Sequence, residues 1–176
     1  KITGAGMMDC KKALQEAEGD FDKAIEVIRK KGQAIASKRA DREASEGAVM
    51  ARVDGKFAAM ISLNCETDFV AKNESFVAFA QTIIDTAIAE KPANLDELKA
   101  ISIDGKTIEE VVTEQSGITG EKLELAYYDK IDAEYIIAYN HFGNNLATLV
   151  GFNKVIDEQE GIYVCTHCGQ PMPVAP

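Results

Sequence analysis

The sequence predicts an α+β protein with an antiparallel sheet. Two observations favour this class. Segments with apolar residues every three to four positions, typical of helices, are interspersed with segments in which apolar residues alternate, typical of strands. Their order is helices, a hairpin, helices and strands, which differs from the regular strand–helix alternation of a parallel sheet. The 176 residues, 46% of them hydrophobic, are enough for one core and a small additional module.

The chain is predicted to begin with two short helices. Apolar residues at helical spacing give each a buried face: Cys10, Ala13, Leu14 and Ala17 in the first, and Phe21, Ala24, Ile25 and Ile28 in the second. Gly19 ends the first helix, Asp20 caps the second, and Gly32 is expected to end it. Lys1-Ile2 is interpreted as the stub of a third helix. Residues 33–46, rich in alanine and charge, are predicted to form an exposed linker helix.

A β-hairpin is predicted next. Asp54-Gly55 separates two β-type segments, Ala48–Val53 and Lys56–Asn64, and Asp-Gly is a strong signal for a tight turn. In the second segment alternate apolar residues indicate one buried face. After the hairpin, Asn73 is placed to cap a helix. The buried face of that helix is predicted to consist of Phe76, Val77, Ala80, Ile83, Ile84 and Ala87.

The remaining elements are predicted from capping and turn signals. A short helix is expected over Asp96–Ser102. Thr107-Ile108-Glu109-Glu110 has the form of a capping box, and Gly117 is expected to end the helix that it starts. Gly143-Asn144 is predicted as the turn between the last two strands. The three predicted strands are Lys122–Tyr128, Glu134–His141 and Leu146–Asn153.

Charge and composition exclude several classes of function. The net charge of −10 opposes binding to nucleic acid, since phosphates repel an acidic surface. The local exception is a basic run over Lys30–Arg42, which we interpret as a solvated helix face. No apolar run reaches the roughly 18 residues of a membrane span. With no leader sequence after Lys1, we expect a cytoplasmic protein with reduced cysteines.

No pattern of catalytic residues is evident. There is no P-loop, no dinucleotide-binding glycine motif after a strand and no nucleophile elbow, and a lone histidine such as His141 is more often structural than catalytic. We therefore expect neither an enzyme nor a bound cofactor. Cys165, His167 and Cys168 form one half of a zinc-ribbon pattern, and Cys10, Cys65 or His141 would have to complete it. A redox role for the cysteine pair is the other alternative.

The segment that stands out is N-C-E-T-D-F-V-A-K-N-E-S-F, Asn64 to Phe76. It places an acid, Asp68, beside a large aromatic, Phe69, where the chain leaves a strand. Two interpretations remain open from the residues alone. Asp68 caps a turn while Phe69 enters the protein's own core, or a rigid loop presents Phe69 as an anchor to a partner.

Two long motifs resemble those of the elongation factor Ts family. Thr3 to Leu14, T-G-A-G-M-M-D-C-K-K-A-L, is similar to the first family signature, and Cys65 to Ala71, C-E-T-D-F-V-A, is similar to the second. Tyr139-Asn140-His141 before an apolar strand is similar to a third feature. The resemblance covers roughly 3–156 and suggests a chain truncated at both ends. Of the two interpretations of Asp68 and Phe69, the resemblance favours contact with a partner.

The resemblance implies both an architecture and a function. The architecture is a ubiquitin-associated-type helical module at 1–32, a linker at 33–46, and core subdomains at 47–128 and 129–176, the second incomplete. The function is guanine-nucleotide exchange on elongation factor Tu, in its GDP-bound and nucleotide-free forms, without direct contact to nucleic acid or membrane. The implied partner-binding residues are Thr67, Asp68, Phe69 and Val70, which displace Mg²⁺ from the partner's GDP site, with Met7, Met8, Lys11 and His141 as further contacts.

The chain departs from the family pattern in two places. The run His141–Asn145 lacks the usual basic residue of this turn. Residues 160–176 replace an expected amphipathic helix, and we interpret Cys165–Met172 as a local frame-shift or misreading. The competing hypotheses for the whole chain are a zinc-stabilised α+β adaptor, a small enzyme using His141, and a binding module confined to the first 45 residues.

Overall fold

The computed structural model describes residues 7–39 and 41–155, apart from the side chains of Ile35 and Ala36. The helices of this part are α1 (Met7–Glu16), α2 (Phe21–Lys38), α3 (Asp68–Ala71), α4 (Glu74–Glu90), α5 (Leu95–Ala100) and α6 (Ile108–Thr119). The strands are β1 (Glu46–Asp54), β2 (Phe57–Cys65), β3 (Ser102–Ile103), β4 (Lys106–Thr107), β5 (Glu124–Asp132), β6 (Tyr135–Asn140) and β7 (Ala147–Phe152). Every strand pair in this part of the chain is antiparallel, which confirms the predicted α+β class.

The centre of the fold is β2, which pairs with β1 on one side and β5 on the other. Ala59, Ile61 and Leu63 alternate along β2 and are fully buried, as the periodicity predicts. Helix α4 covers this face with Phe76, Ala80, Ile83, Ile84 and Ala87. The predicted buried face of α4 is therefore confirmed, with Val77 packed at its margin.

The caps of the helices agree with the prediction. Asp20 accepts hydrogen bonds from the amides of Asp22 and Lys23 at the start of α2. Asn73 accepts from the amide of Ser75 at the start of α4. Thr107 and Glu110 form both hydrogen bonds of a capping box at the start of α6.

Two Asp-Gly pairs lie at turns in the sheet regions, and only one of these turns was predicted. Asp54 is still paired with Phe57, so the β1–β2 turn is Gly55-Lys56, one residue later than predicted. Of these two residues only Gly55 has a positive φ, +59°. Asp104-Gly105, which the sequence prediction missed, joins β3 to β4 with positive φ at both residues, the requirement of a type I′ turn.

Helix α2 does not end at Gly32. It runs without a break from Phe21 to Lys38, so the first part of the predicted linker helix at 33–46 belongs to α2. Gly32 is buried inside the helix, where its missing side chain lets α2 lie against α6. A glycine in the middle of a helix has a cost in stability, and a close helix crossing is a physical reason to keep one.

Gly117 is the other half of this crossing. It was predicted to end α6, but α6 continues to Thr119 and is capped by Gly120 in the left-handed conformation. A Cβ at Gly117 would lie 2.3 Å from the Cα of Gly32. Both glycines were therefore misinterpreted as helix ends, and both are contact points between α2 and α6.

Charged side chains border the crossing. The guanidinium of Arg29 on α2 pairs with the carboxylates of Glu110 and Glu114 on α6. Lys106 Nζ approaches Glu114 at 2.7 Å from the other side. Helix α1 in turn packs on α2 through a small cluster centred on Ala13, Ala17 and Ala24. The two N-terminal helices are thus attached to the core through α6.

The hairpin formed by β6 and β7 lies along the outer edge of β1. Asn144 O accepts from the amide of Val49 at 2.7 Å. The side chain of Asn140 accepts from the amide of Ala51 at 2.7 Å and donates to the carbonyl of Ala51 at 2.9 Å. Strand β5 runs from Glu124 to Asp132 and so crosses the predicted subdomain boundary at 128/129. The division into modules, and the ubiquitin-associated type of the first, stay predictions.

The crossing generates a prediction for a matched pair of variants. Gly117→Ala is expected to destabilise the protein by about 1–3 kcal/mol, since its methyl group overlaps the Gly32 backbone. Gly32→Ala places a Cβ at 3.4 Å from its nearest neighbours, an ordinary contact, and gains up to about 1 kcal/mol of helix propensity. Urea unfolding followed by circular dichroism measures both. Equal stabilities for the two variants would contradict this geometry.

Candidate functional site

The predicted partner loop is a short helix at the exit of β2. Cys65 is the last residue of β2, and α3 begins at Asp68 with Thr67 in the N-cap position. Thr67–Val70 were expected to form a loop. This is wrong for the backbone conformation, since Asp68–Ala71 is a helical turn. Lys72 N and Asn73 N close this turn by donating to the carbonyls of Asp68 and Val70.

The side chains of α3 divide between core and solvent. Phe69 is 83% exposed, so the interpretation that it enters the protein's own core is wrong. Val70 and Ala71 instead pack against the core cluster. A large aromatic side chain exposed on an ordered turn is the arrangement that binding anchors have.

Asp68 is also accessible, with a half-exposed side chain. Its carboxylate receives a hydrogen bond from Lys72 Nζ at 2.6 Å. The hydrogen bond and the charge of Lys72 lower the pKa of Asp68, and the same contact raises the pKa of Lys72. Asp68 is thus a carboxylate whose partner is an exposed lysine, which another cation or hydrogen-bond donor can replace.

Thr67 is fixed by Glu121, a residue that follows α6. The amide of Thr67 donates to Glu121 Oε2 at 3.1 Å, and its hydroxyl donates to Glu121 Oε1 at 2.6 Å. On the other side of the backbone, Cys65 Sγ donates to the carbonyl of Thr67 at 3.2 Å. Burial, with a smaller contribution from the charge of Glu121, raises the pKa of Cys65 to about 11.

Glu66 binds three groups from two other parts of the chain. Its carboxylate accepts from Arg39 at 2.8 Å, from Arg42 at 3.0 Å and from the amide of Lys122 at 2.6 Å. The side chain of Glu66 is only 12% exposed. The Lys122 amide contributes most to lowering its pKa to about 2, and the two arginines add to the effect.

The sequence prediction missed Glu66 and Glu121 as site residues. Glu66 lies inside the motif C-E-T-D-F-V, but its partners are 24 to 56 residues away along the chain. The basic run that contains two of these partners, Arg39 and Arg42, was interpreted as a solvated helix face. That interpretation suits exposed Lys30 and Lys31, whereas Arg39 and Arg42 bind Glu66 instead.

Met7, Met8 and Lys11 are exposed on α1. Met7 is 88% exposed and Met8 66% exposed, so neither belongs to the core of the described residues. Met7, Cys10 and Leu14 contribute to a shallow and largely apolar groove on this face of α1. An exposed apolar surface of this kind is a candidate for protein contact.

His141 lies at the end of β6, next to β1. Its Nδ1 is 2.8 Å from the hydroxyl of Tyr139, and its backbone bonds to Leu146 and Asn144 across the turn. The neighbouring Phe142 is 95% exposed. The predicted site residues thus lie on three separate elements, namely α3, α1 and the β6–β7 turn.

Within residues 7–39 and 41–155, no group of three or more His, Cys, Asp and Glu residues could hold a metal ion. Cys165, His167 and Cys168, with the hypothesis of a frame-shift, lie outside these ranges. None of the helices described is both long and apolar enough to cross a membrane.

The pKa of Glu66 predicts an acid-sensitive contribution to stability. Because this pKa falls from 4.5 to about 2 on folding, the contribution is complete above about pH 4.5 and is lost as the pH falls towards about 2. We therefore expect the difference in unfolding free energy between wild type and Glu66→Gln to be constant from pH 7 to 5 and to shrink below that. Urea unfolding over this pH series measures the difference. A difference that stays constant down to pH 3 would contradict the assigned contacts.

Comparison with known proteins gives a consistent result. The family model described as "Elongation factor TS" matches residues 66–175, more than half of the chain. The elongation factor Ts of Parabacteroides distasonis is 60% identical over 159 residues, which is 90% of this chain and 48% of that protein. The one from Phocaeicola vulgatus is 59% identical over 155 residues, with 88% and 47% covered. The one from Porphyromonas gingivalis is 50% identical over 176 residues, with 99% and 64% covered.

The chain spans about half the length of the curated relatives that it matches. The family match includes α3, Glu66, Glu121 and the β6–β7 hairpin. On the extent of the family match and the level of identity, this chain belongs to the elongation factor Ts family.

Proposed function

We propose that this chain is a guanine-nucleotide exchange factor for elongation factor Tu. The single observation that carries the proposal is the exposure of Phe69 on a hydrogen-bonded helical turn whose N-cap residue, Thr67, is bonded to Glu121. Membership of the elongation factor Ts family supports the identity of the partner. The net charge of −10 favours a protein partner over nucleic acid.

In the proposed mechanism, Phe69 is inserted between helices of the partner's nucleotide-binding domain. Asp68, freed from Lys72, holds the displaced segment. The Mg²⁺ that bridges the partner to the β-phosphate of GDP then loses its ligands, which removes the largest positive charge at the phosphates. GDP dissociates faster, and GTP takes its place when it is in excess. No covalent bond changes in this process, so the chain is not an enzyme of a chemical step.

Binding of the chain and binding of GDP must oppose each other. Since the chain weakens GDP binding, GDP weakens the binding of the chain by the same factor. The chain therefore binds nucleotide-free partner more tightly than GDP-bound partner. This reciprocity explains how one surface can act in both states. Membership of the elongation factor Ts family supports the further proposal that the protein acts in translation, in the cytoplasm.

Two further surfaces are proposed to bind the same partner. Met7, Met8 and Lys11 form one on α1, where two exposed methionines can adapt to an apolar surface. His141 forms the other at the β6–β7 turn. Contacts of this kind add affinity, whereas the insertion of Phe69 adds selectivity for the state without GDP. Affinity and exchange rate should therefore be separable by mutation.

The first test measures release of fluorescent GDP from elongation factor Tu. We expect the wild-type chain to accelerate release and Phe69→Ala to lower the maximal rate by roughly tenfold or more, since it removes the aromatic anchor. Tyr127→Ala is the control, because Tyr127 is an aromatic on β5 that is 47% exposed and outside the proposed site. It should leave the rate unchanged.

Two outcomes of this test would contradict the proposal. If the wild-type chain binds the partner and does not accelerate release, the chain lacks the exchange function. If Phe69→Ala and Tyr127→Ala have equal effects, exchange occurs without the assigned turn. Circular dichroism of each variant shows whether the fold is retained.

A second test addresses α1. The double variant Met7→Ser/Met8→Ser is expected to raise the concentration of chain needed for half-maximal release by roughly tenfold, because it removes exposed apolar contact area. The maximal release rate should stay close to wild type, since α3 is unchanged. A lower maximal rate with an unchanged half-maximal concentration would show that α1 acts in the exchange step and not in binding.

A further inference from the structure

Helix α3 cannot hold its shape alone. It has four residues, Asp68 to Ala71, which is a single helical turn. An isolated helix of this length is unstable in water, because the first turn fixes several residues for one hydrogen bond. The orientation of Phe69 also cannot come from its own contacts, since the side chain is 83% exposed. Val70 and Ala71 pack on the core, and polar groups outside the turn add to this by fixing the position of its first residue.

Glu121 is one such group. Its two carboxylate oxygens hold the amide and the hydroxyl of Thr67, the residue immediately before α3. Two bonds from one carboxylate to one residue fix both the position and the rotation of the N-cap. The hydroxyl of Thr67 forms no cap within its own helix, so its bond to Glu121 replaces the usual local one.

Glu66 is the second group. It precedes Thr67 and binds Arg39 and Arg42 from the segment after α2. It also binds the amide of Lys122, two residues before β5. Lys122 Nζ in turn donates to the carbonyl of Arg42 at 3.1 Å. The base of α3 is thus connected to two different parts of the chain within one small junction.

We propose that Glu66 and Glu121 are positioning residues that hold α3 in the orientation in which Phe69 enters the partner. The proposal rests on the proposed exchange function and extends it to residues that act through α3. The free chain already has the turn in its binding geometry, so little conformational entropy is lost when Phe69 is inserted. Arg39 and Arg42, which follow α2, bind Glu66, so the same junction also connects α3 to the end of α2.

The test compares Glu121→Ala and Phe69→Ala singly and together in the fluorescent-GDP assay, with the full chain. We expect Glu121→Ala to lower the maximal release rate by about tenfold while the half-maximal concentration changes little. In the Phe69→Ala background Glu121→Ala should have no further effect, because a positioning residue acts only through the group that it positions. Independent losses that multiply would overturn the proposal.

Two variants serve as controls. Glu109→Ala removes an exposed carboxylate from α6 and changes the net charge by the same amount as Glu121→Ala. With this variant, the partner should release GDP at the wild-type rate. Glu66→Gln keeps an acceptor for the Lys122 amide and for Arg39, whereas Glu66→Ala does not. We expect Gln to retain most of the maximal rate and Ala to lose it, and equal behaviour of the two would count against the role of Glu66.

Amide hydrogen exchange of the free chain tests the positioning without the partner. The amides of Ala71, Lys72 and Asn73 close α3, and we expect them to exchange faster in Glu121→Ala than in wild type. Amides of α4 should keep their protection in a variant that folds. If wild type fails to accelerate GDP release, the proposed function fails, and this measurement still decides the positioning. Unchanged protection of the three amides would overturn it.

Discussion

The pairing of β2 with strands on both sides is the constraint on which the rest of the structure depends. Its alternate residues are buried under α4, its neighbours β1 and β5 complete the sheet, and its last residue leads directly into the exposed turn. A register shift of one residue in β2 would turn its apolar face to solvent and also rotate the start of α3. The core and the candidate site are therefore fixed by the same strand.

Local signals predicted most of the fold. The caps at Asp20, Asn73 and Thr107 and the buried faces of β2 and α4 depend on residues close together in sequence, and each was confirmed. The errors at the two helix ends arose because the residues concerned act over a distance. Gly32 and Gly117 are of the residue type that commonly ends helices. Each is instead explained by its contact with the other, 85 residues away, and a local sequence pattern cannot reveal such a contact.

The same distinction applies to the candidate site. The motif around Phe69 could be recognised from the sequence, and its exposure agrees with partner contact. The carboxylates that fix the turn could not be recognised, because 29 acidic residues in the chain offer no local reason to single out Glu66 or Glu121. Only the fold brings Arg39, Arg42 and Lys122 to one of them and Thr67 to the other. The sequence thus indicated the exposed aromatic, Phe69, and the structure adds the hydrogen bonds of Glu66 and Glu121 at the base of its turn.

The side chain of Asn140 has a consequence for how copies of this protein behave together. Its carboxamide bonds to both backbone groups of Ala51, as a neighbouring strand would, on the outer edge of β1. Outer edges with open backbone groups are templates on which strands of other molecules add, the first step towards fibrillar aggregation. One asparagine thus occupies backbone groups in the middle of this edge, to which a strand from a second copy of the chain could otherwise add.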